Sequence, residues 1–250
     1  MKKKYIVFVV ILVGTGVLQL KYLTKKVQAD KPTSVSWKST EGVKRFENAK
    51  YKGDFFRLAS YYSPQRHAME CGLASARIVI NYIYKTDKKP TPHHENLSLC
   101  DNKRGLDLQY DIFTEDDLVA VKIEKGFPSV ADIRGNGKMG HGYIGIDIWD
   151  YPRLFHAHGL KAEYFNITNA KSDKANFVKM LKNILQDDGK FIIGFFKNHI
   201  SPVVALDEKS NSVLILDVEQ HATDWYWVDL EFLLQNMSTS KGHGYVIISK

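Results

Sequence analysis

Residues 71–84 read Cys-Gly-Leu-Ala-Ser-Ala-Arg-Ile-Val-Ile-Asn-Tyr-Ile-Tyr. The run is apolar on most faces, holds no proline and is longer than an ordinary strand, so it reads as a buried helix. Ser63-Pro64 breaks the pattern upstream, which sets Cys71 where a loop ends and this helix begins. A helix N-terminus carries partial positive charge and unpaired N–H groups. Both favour a thiolate over a thiol, and the thiolate is the nucleophile. Gly72, directly after Cys71, is expected to let a substrate backbone come close. The plainer reading of Cys71 is a buried structural cysteine, which is common.

A nucleophilic cysteine needs a base, and the last third of the chain offers one. Residues 201–206 and 213–218 flank the polar turn 207–212, the pattern of a β-hairpin. His199 enters the first strand in Asn198-His199-Ile200-Ser201-Pro202. Asp217 lies near the end of the second in Leu214-Ile215-Leu216-Asp217-Val218. Their midpoint falls at Glu208, inside the turn, so antiparallel pairing sets the two as neighbours. An acid in so apolar a strand is costly to bury unless paired. A bond to His199 would pair it and fix the imidazole tautomer; otherwise Asp217 is a polar residue at a strand end. Gln65, six positions before Cys71, carries a side-chain amide suited to a developing oxyanion. The order Cys, His, Asp follows the logic of a helix-borne nucleophile with a sheet-borne base and orienter.

Around these landmarks the pattern alternates early helix with late strand. Residues 30–39 read as a polar linker, and 40–51 as a short helix with Thr40 at its cap. Residues 85–104 form a polar, proline-containing loop and 134–142 a glycine-rich one. Residues 148–158 suit a helix with Pro152 in its first turn and Gly159 closing it. Residues 160–165, 191–196 and 245–249 read as strands, 176–185 and 230–237 as helices, and Asp188-Gly189 as a turn. The expected class is α+β, with a helical N-terminal part carrying the nucleophile helix packed on a C-terminal antiparallel sheet.

Charge and composition remove several other classes. The 250 residues carry a formal charge of +7, from 35 Lys and Arg against 28 Asp and Glu. Residues 1–29 hold six lysines and no acid, so the rest of the chain has 29 basic against 28 acidic side chains. The body lacks the basic face of a nucleic-acid binder. Three lysines after Met1 precede the apolar run 5–20, which is interrupted by Gly14, Thr15, Gly16 and Gln19. A spanning helix takes about 20 apolar residues and a signal core roughly 7–15. Residues 1–29 are therefore expected to be a signal peptide, cleaved after Val27-Gln28-Ala29, or an uncleaved membrane anchor. Either way the body lies outside the cytoplasm, exported or tethered, and meets the membrane only through this segment.

Cys71 and Cys100 are the two cysteines, too few for a disulfide scaffold, although one bridge between them stays open. His93-His94 and the pair His156 and His158 have no Cys or acid beside them at zinc-site spacing, so no resident metal is expected. Gly135-Asn136-Gly137 lacks the Lys-Ser/Thr context of a phosphate loop.

Several stretches together resemble one family. Thr40-Glu41-Gly42, Phe56 through Tyr62 to Gln65, and Cys71-Gly72-Leu73-Ala74-Ser75 resemble the segment around the nucleophile of phytochelatin synthases. His199-Ile200-Ser201-Pro202, Leu214-Ile215-Leu216-Asp217-Val218, Trp227-Val228 and Gly244-Tyr245 resemble later motifs of the same family, in the same order, over residues 36–250. The resemblance implies a papain-like fold for one catalytic domain over residues 40–250. It implies attack on glutathione or a related thiol peptide, giving a γ-glutamylcysteinyl thioester on Cys71 with loss of Gly. Water resolves the thioester in a hydrolase, and the amine of a second thiol peptide in the synthase. Gln65 then supports the oxyanion, His199 acts as base and acid, and Asp217 orients His199. No cofactor is required, and heavy-metal ions enter only as partners of substrate thiolates. Two departures stand out. Phe195-Phe196-Lys197-Asn198 replaces a glycine-rich stretch before the histidine, and a short loop at 238–242 leaves His243 near the position of a family arginine. His243 is thus a candidate substrate contact. The alternative is a papain-like peptidase with a different peptide substrate. The Cys-rich C-terminal region of plant members is absent, which favours peptide cleavage over sustained polymer synthesis.

Overall fold

A computed structural model describes residues 34–65, 70–87, 146–196, 199–219, 225–238 and 243–250. Cys100, His93, His94, the glycine-rich stretch at 134–142 and the whole of residues 1–29 lie outside them.

Seven antiparallel strands form the centre. They are β1 (Ser34–Ser36), β2 (Lys161–Phe165), β3 (Lys190–Phe196), β4 (His199–Asp207), β5 (Ser212–Ile215), β6 (Tyr226–Asp229) and β7 (Tyr245–Ser249). Across the sheet they run β1-β6-β5-β4-β3-β7-β2. β3 and β4 sit near the middle, and both of their faces are buried. This is why 191–196 reads as an unbroken apolar run with no alternation. Residues Phe191, Ile193, Ile200, Val204 and Leu214 pack into one core. Ile192, Phe196, Val203, Val213 and Ile215 pack into a second core on the other face.

Helices cover both faces. The first core takes α3 (Cys71–Asp87) and α4 (Tyr151–Ala157) through Leu73, Ile78, Ile80, Ile83, Leu154 and Phe155. The second takes α5 (Ala170–Gln186) and α6 (Leu230–Met237) through Phe177, Leu181, Leu233 and Met237. The short helices α1 (Thr40–Asn48) and α2 (Gly53–Leu58) complete the N-terminal part. The α+β class holds, with helices on both faces of the antiparallel sheet.

Local chemistry accounts for the boundaries. Ser39, and not Thr40, caps α1: its Oγ accepts the Gly42 N–H at 3.0 Å. Asn169 caps α5 by accepting from Lys171 and Ser172, which starts that helix at Ala170, well before the expected 176. Pro152 sits in the first turn of α4, and Gly159, at φ +68, follows it in the left-handed conformation. Ser34–Ser36, read as linker, pairs with β6 as an edge strand. A three-residue edge strand gives no alternation long enough to recognise.

Candidate active site

The site forms where α3 meets the centre of the sheet. Cys71 opens α3, partly exposed and with a free thiol. One helical turn on, Ser75 donates its hydroxyl to the Ile200 carbonyl at 2.8 Å, fully buried. That bond ties the nucleophile end of α3 to β4 one residue past His199. Tyr151 on α4 donates to the Gly72 carbonyl at 2.5 Å. Its phenol titrates well above the ordinary range, first because it is fully buried and then because charge at Cys71 lies nearby. Gly72 does not open space for a substrate, as its sequence context suggested. A Cβ there would meet Ile146 Cγ2 at 2.6 Å and the Tyr151 hydroxyl at 3.2 Å. The glycine is needed because the protein's own chain fills that space.

His199 begins β4, and its Nε2 lies 2.7 Å from Asp217 Oδ1. The hairpin brings them together differently from the simple midpoint. Asp207 pairs with Ser212 and Leu206 with Val213, and a bulge then shifts the register so that Val203 faces Ile215. β5 ends at Ile215, and the Leu216 N–H still reaches the Pro202 carbonyl at 2.9 Å. Continued in that register, Asp217 would face Ser201. It reaches His199 diagonally, from a strand end already leaving the sheet. The two form an ion pair at 2.7 Å, with the carboxylate side chain almost wholly buried.

The electrostatics follow from this geometry. Burial pulls the His199 imidazole down, but polar contacts with Asp217 and then Cys71 more than reverse that and bring it up to about 10. Burial alone would raise the Asp217 carboxyl. His199, the Glu219 N–H at 2.9 Å and the Tyr226 hydroxyl together hold it below its usual value. The arrangement thus presents a partly exposed sulfur at a helix N-terminus, beside an imidazolium held by a buried carboxylate. Such a set can form and resolve an acyl–sulfur bond.

Gln65 joins the same region through its backbone, donating its N–H to the Val218 carbonyl at 2.7 Å. Its side chain is nearly buried, and Oε1 has no protein partner among the described residues. His243 stands one strand further on. Its ring stacks on Phe195 with centroids 4.1 Å apart, and its Nδ1 lies 3.2 Å from the Asn236 carbonyl. The Gly244 carbonyl accepts the Phe195 N–H at 2.9 Å, so His243 flanks the end of β3, whose Phe196 pairs with His199. His158 is buried with Nδ1 2.8 Å from the Leu154 carbonyl, a helix-end contact. Among the described residues no group of His, Cys, Asp and Glu is placed to hold a metal ion. Among them, too, no helix is long and apolar enough to cross a membrane.

Tyr226, Tyr151 and Ser75 were given no role from sequence. Tyr226 had a usable signal, because Tyr-Trp-Val-Asp before the helix at 230–237 is a short β-rich run.

Known proteins give the same direction. The chain is similar to glutathione gamma-glutamylcysteinyltransferase 1 of Arabidopsis thaliana, 25% identical over 236 residues, covering 88% of this chain and 42% of that protein. Enzyme 1 of Lotus japonicus is also 25% identical, over 88% of this chain and 41% of its own length. Enzyme 2 of Arabidopsis thaliana is 26% identical, over 88% and 45%. The chain spans less than half the length of these curated relatives. The family model described as phytochelatin synthase matches residues 25–244, most of the chain, and the protein accordingly belongs to the phytochelatin synthase family.

Proposed function

We propose that this protein is a thiol-dependent γ-glutamylcysteinyl hydrolase and transferase that acts on glutathione. The Cys71 thiolate attacks the cysteinyl carbonyl carbon. The bond to the glycine nitrogen breaks, and the His199 imidazolium gives its proton to the departing amine. The γ-glutamylcysteinyl group is left as a thioester on sulfur. Neutral His199 then takes a proton from water, releasing γ-glutamylcysteine, or from the amine of a second thiol peptide, releasing a longer one. Asp217 keeps the imidazole oriented throughout and favours its protonated form before acylation and again as water or the amine attacks. The Gln65 amide faces the developing oxyanion, and His243 on Phe195 walls the substrate side. No resident cofactor takes part, and heavy-metal ions enter as partners bound by the substrate thiolates.

The observation that carries this reading is the 2.7 Å contact of His199 with Asp217, beside a Cys71 whose charge helps lift the imidazole. Membership of the family and the names of the relatives supply the substrate class. A papain-like fold is part of the proposal. Its support is a helix-borne cysteine docked on an antiparallel sheet that carries the histidine. Residues 40–250 are proposed as the catalytic domain, behind a leader or anchor at 1–29 that places it outside the cytoplasm.

Intact-protein mass spectrometry after brief exposure to glutathione tests the reaction. The expected result is a mass gain matching γ-glutamylcysteinyl on Cys71, with free glycine in solution and neither in Cys71→Ser. Glutathione left intact while iodoacetamide still alkylates Cys71 would transfer the proposal to a different peptide substrate.

A further inference from the structure

The sheet opens beside His199, and a side chain from α3 fills the opening. β4 and β5 stay paired as far as Val203 and Ile215, and beyond them the Leu216 N–H still reaches the Pro202 carbonyl at 2.9 Å. The chain then leaves β4 and brings Asp217 to His199. In an antiparallel strand the backbone groups of alternate residues face the same neighbour. The Ile200 carbonyl therefore turns, like that of Pro202, toward the side that β5 has left. Ile200 is buried and directly follows His199, and an unpaired carbonyl there would be costly. The Ser75 hydroxyl supplies the partner, donating to that carbonyl at 2.8 Å across 125 residues of chain. Ser75 itself has no exposed surface.

On α3, Ser75 stands four residues after Cys71, which puts both side chains on one face of the helix. A bond made by Ser75 thus fixes two things for the sulfur: how far along β4 the helix starts, and how its first turn is rotated. Leu73, Ala74, Ala76 and Ile78 are fully buried and hold α3 in the core. Their packing is non-directional. Tyr151 holds the same turn through the Gly72 carbonyl, but it comes from α4. The Ser75 bond is directional and ends on the strand that bears the base. We infer that Ser75 is a positioning residue of the active site, whose hydrogen bond to the Ile200 carbonyl sets the Cys71 sulfur against the His199 imidazole. Being fully buried, Ser75 meets no substrate, so its effect passes through the placement of α3.

The inference rests on the pairing of Cys71 with His199 and not on the choice of glutathione as substrate, so its test has two arms. Ser75→Ala removes one buried oxygen and leaves the apolar packing of α3 in place. Tyr84→Phe is the control, because it removes another 2.8 Å bond of the same helix, to the His158 carbonyl, at the end away from Cys71. The first arm needs no substrate: alkylation of Cys71 by iodoacetamide is followed across pH by peptide mass spectrometry. In Ser75→Ala the inflection should move up by about one pH unit, which slows labelling about tenfold on its acid side. Tyr84→Phe should keep the wild-type profile while lowering Tm about as much as Ser75→Ala does. In the second arm, glycine release from glutathione should show kcat lowered by about tenfold to a hundredfold in Ser75→Ala with KM within about twofold, the loss expected when a reacting pair is displaced by about 1 Å. If glutathione is inert with the wild type, the substrate assignment fails and the alkylation arm alone decides the role of Ser75. A wild-type alkylation profile in Ser75→Ala overturns the inference, as does an equal shift in Tyr84→Phe. A Ser75→Ala chain without a folded transition overturns it too, since the bond would then hold the fold as a whole.

Discussion

Asp217→Asn separates the charge of the orienting group from its shape. The variant keeps an acceptor oxygen near His199 and removes the negative charge. In the wild type the imidazole titrates at about 10 against an ordinary 6.5, even though burial opposes the rise. That net displacement corresponds to about 5 kcal/mol in favour of imidazolium. If the carboxylate supplies about half, the variant should titrate near pH ~8. The sign is fixed by the direction of the change. A raised imidazole keeps its proton at neutral pH and loses it as pH climbs through the folded value. At pH 7 both proteins hold nearly all of the imidazolium, whereas at pH 9 the variant should hold about one-tenth as much as the wild type. Glycine release from glutathione should thus show an alkaline limb moved down by about two pH units. A nitrogen NMR titration of His199 follows the same transition without substrate. The stability deficit of the variant should be largest between pH 3.8 and 6.5, where Asp217 is ionised even when unfolded and His199 is protonated even when unfolded. An unmoved alkaline limb, with His199 titrating as in the wild type, would refute the electrostatic role of Asp217.

Two further substitutions probe the frame around the site. Gly72→Ala places a Cβ 2.6 Å from Ile146 Cγ2 and crowds the Tyr151 hydroxyl at 3.2 Å. It should cost about 1–3 kcal/mol and lower Tm by roughly 3–10 °C in thermal denaturation. An unchanged Tm would mean that the start of α3 is looser than its packing implies. Asp54→Asn acts through pH. This fully buried carboxyl receives Arg57 at 2.8 Å, yet burial pushes it up to about 8, helped by the charges of Asp187 and Asp188. A raised carboxyl adds stability that is complete below pH 3.8 and is lost as pH rises through about 8, by at most about 6 kcal/mol. Wild-type Tm should decline from pH 5 to 8 and the variant should decline less; parallel curves would contradict the assignment.

The sequence was most informative where chemistry and periodicity agreed. The long apolar run after Cys71 is α3, and 230–237 and 245–249 carry α6 and β7 at the expected bounds. His199 and Asp217 were named as neighbours from residue type and spacing, and the fold sets Nε2 and Oδ1 2.7 Å apart. Less legible was how Asp217 arrives. Equal spacing from Glu208 ignored the bulge between Val203 and Ala205, a feature of backbone hydrogen bonding that leaves no residue signature here. Ser34–Ser36 was hidden for another reason: its pairing partner, β6, lies at the far end of the chain. Gly72 shows a misreading of a different kind. Its need was legible but its cause was not, since Ile146 and Tyr151 come from distant sequence.

The Ser75 bond to Ile200 spans 125 residues of chain. Contacts of that separation close late in folding, after the loop entropy of the intervening chain has been overcome. Cys71 can therefore lie on a formed helix long before any imidazole stands beside it. Its sulfur gains its reactive partner only at the final docking of the sheet. The rate at which the Cys71 thiol is labelled should then rise only as α3 docks on β4, which makes it a readout of that closure.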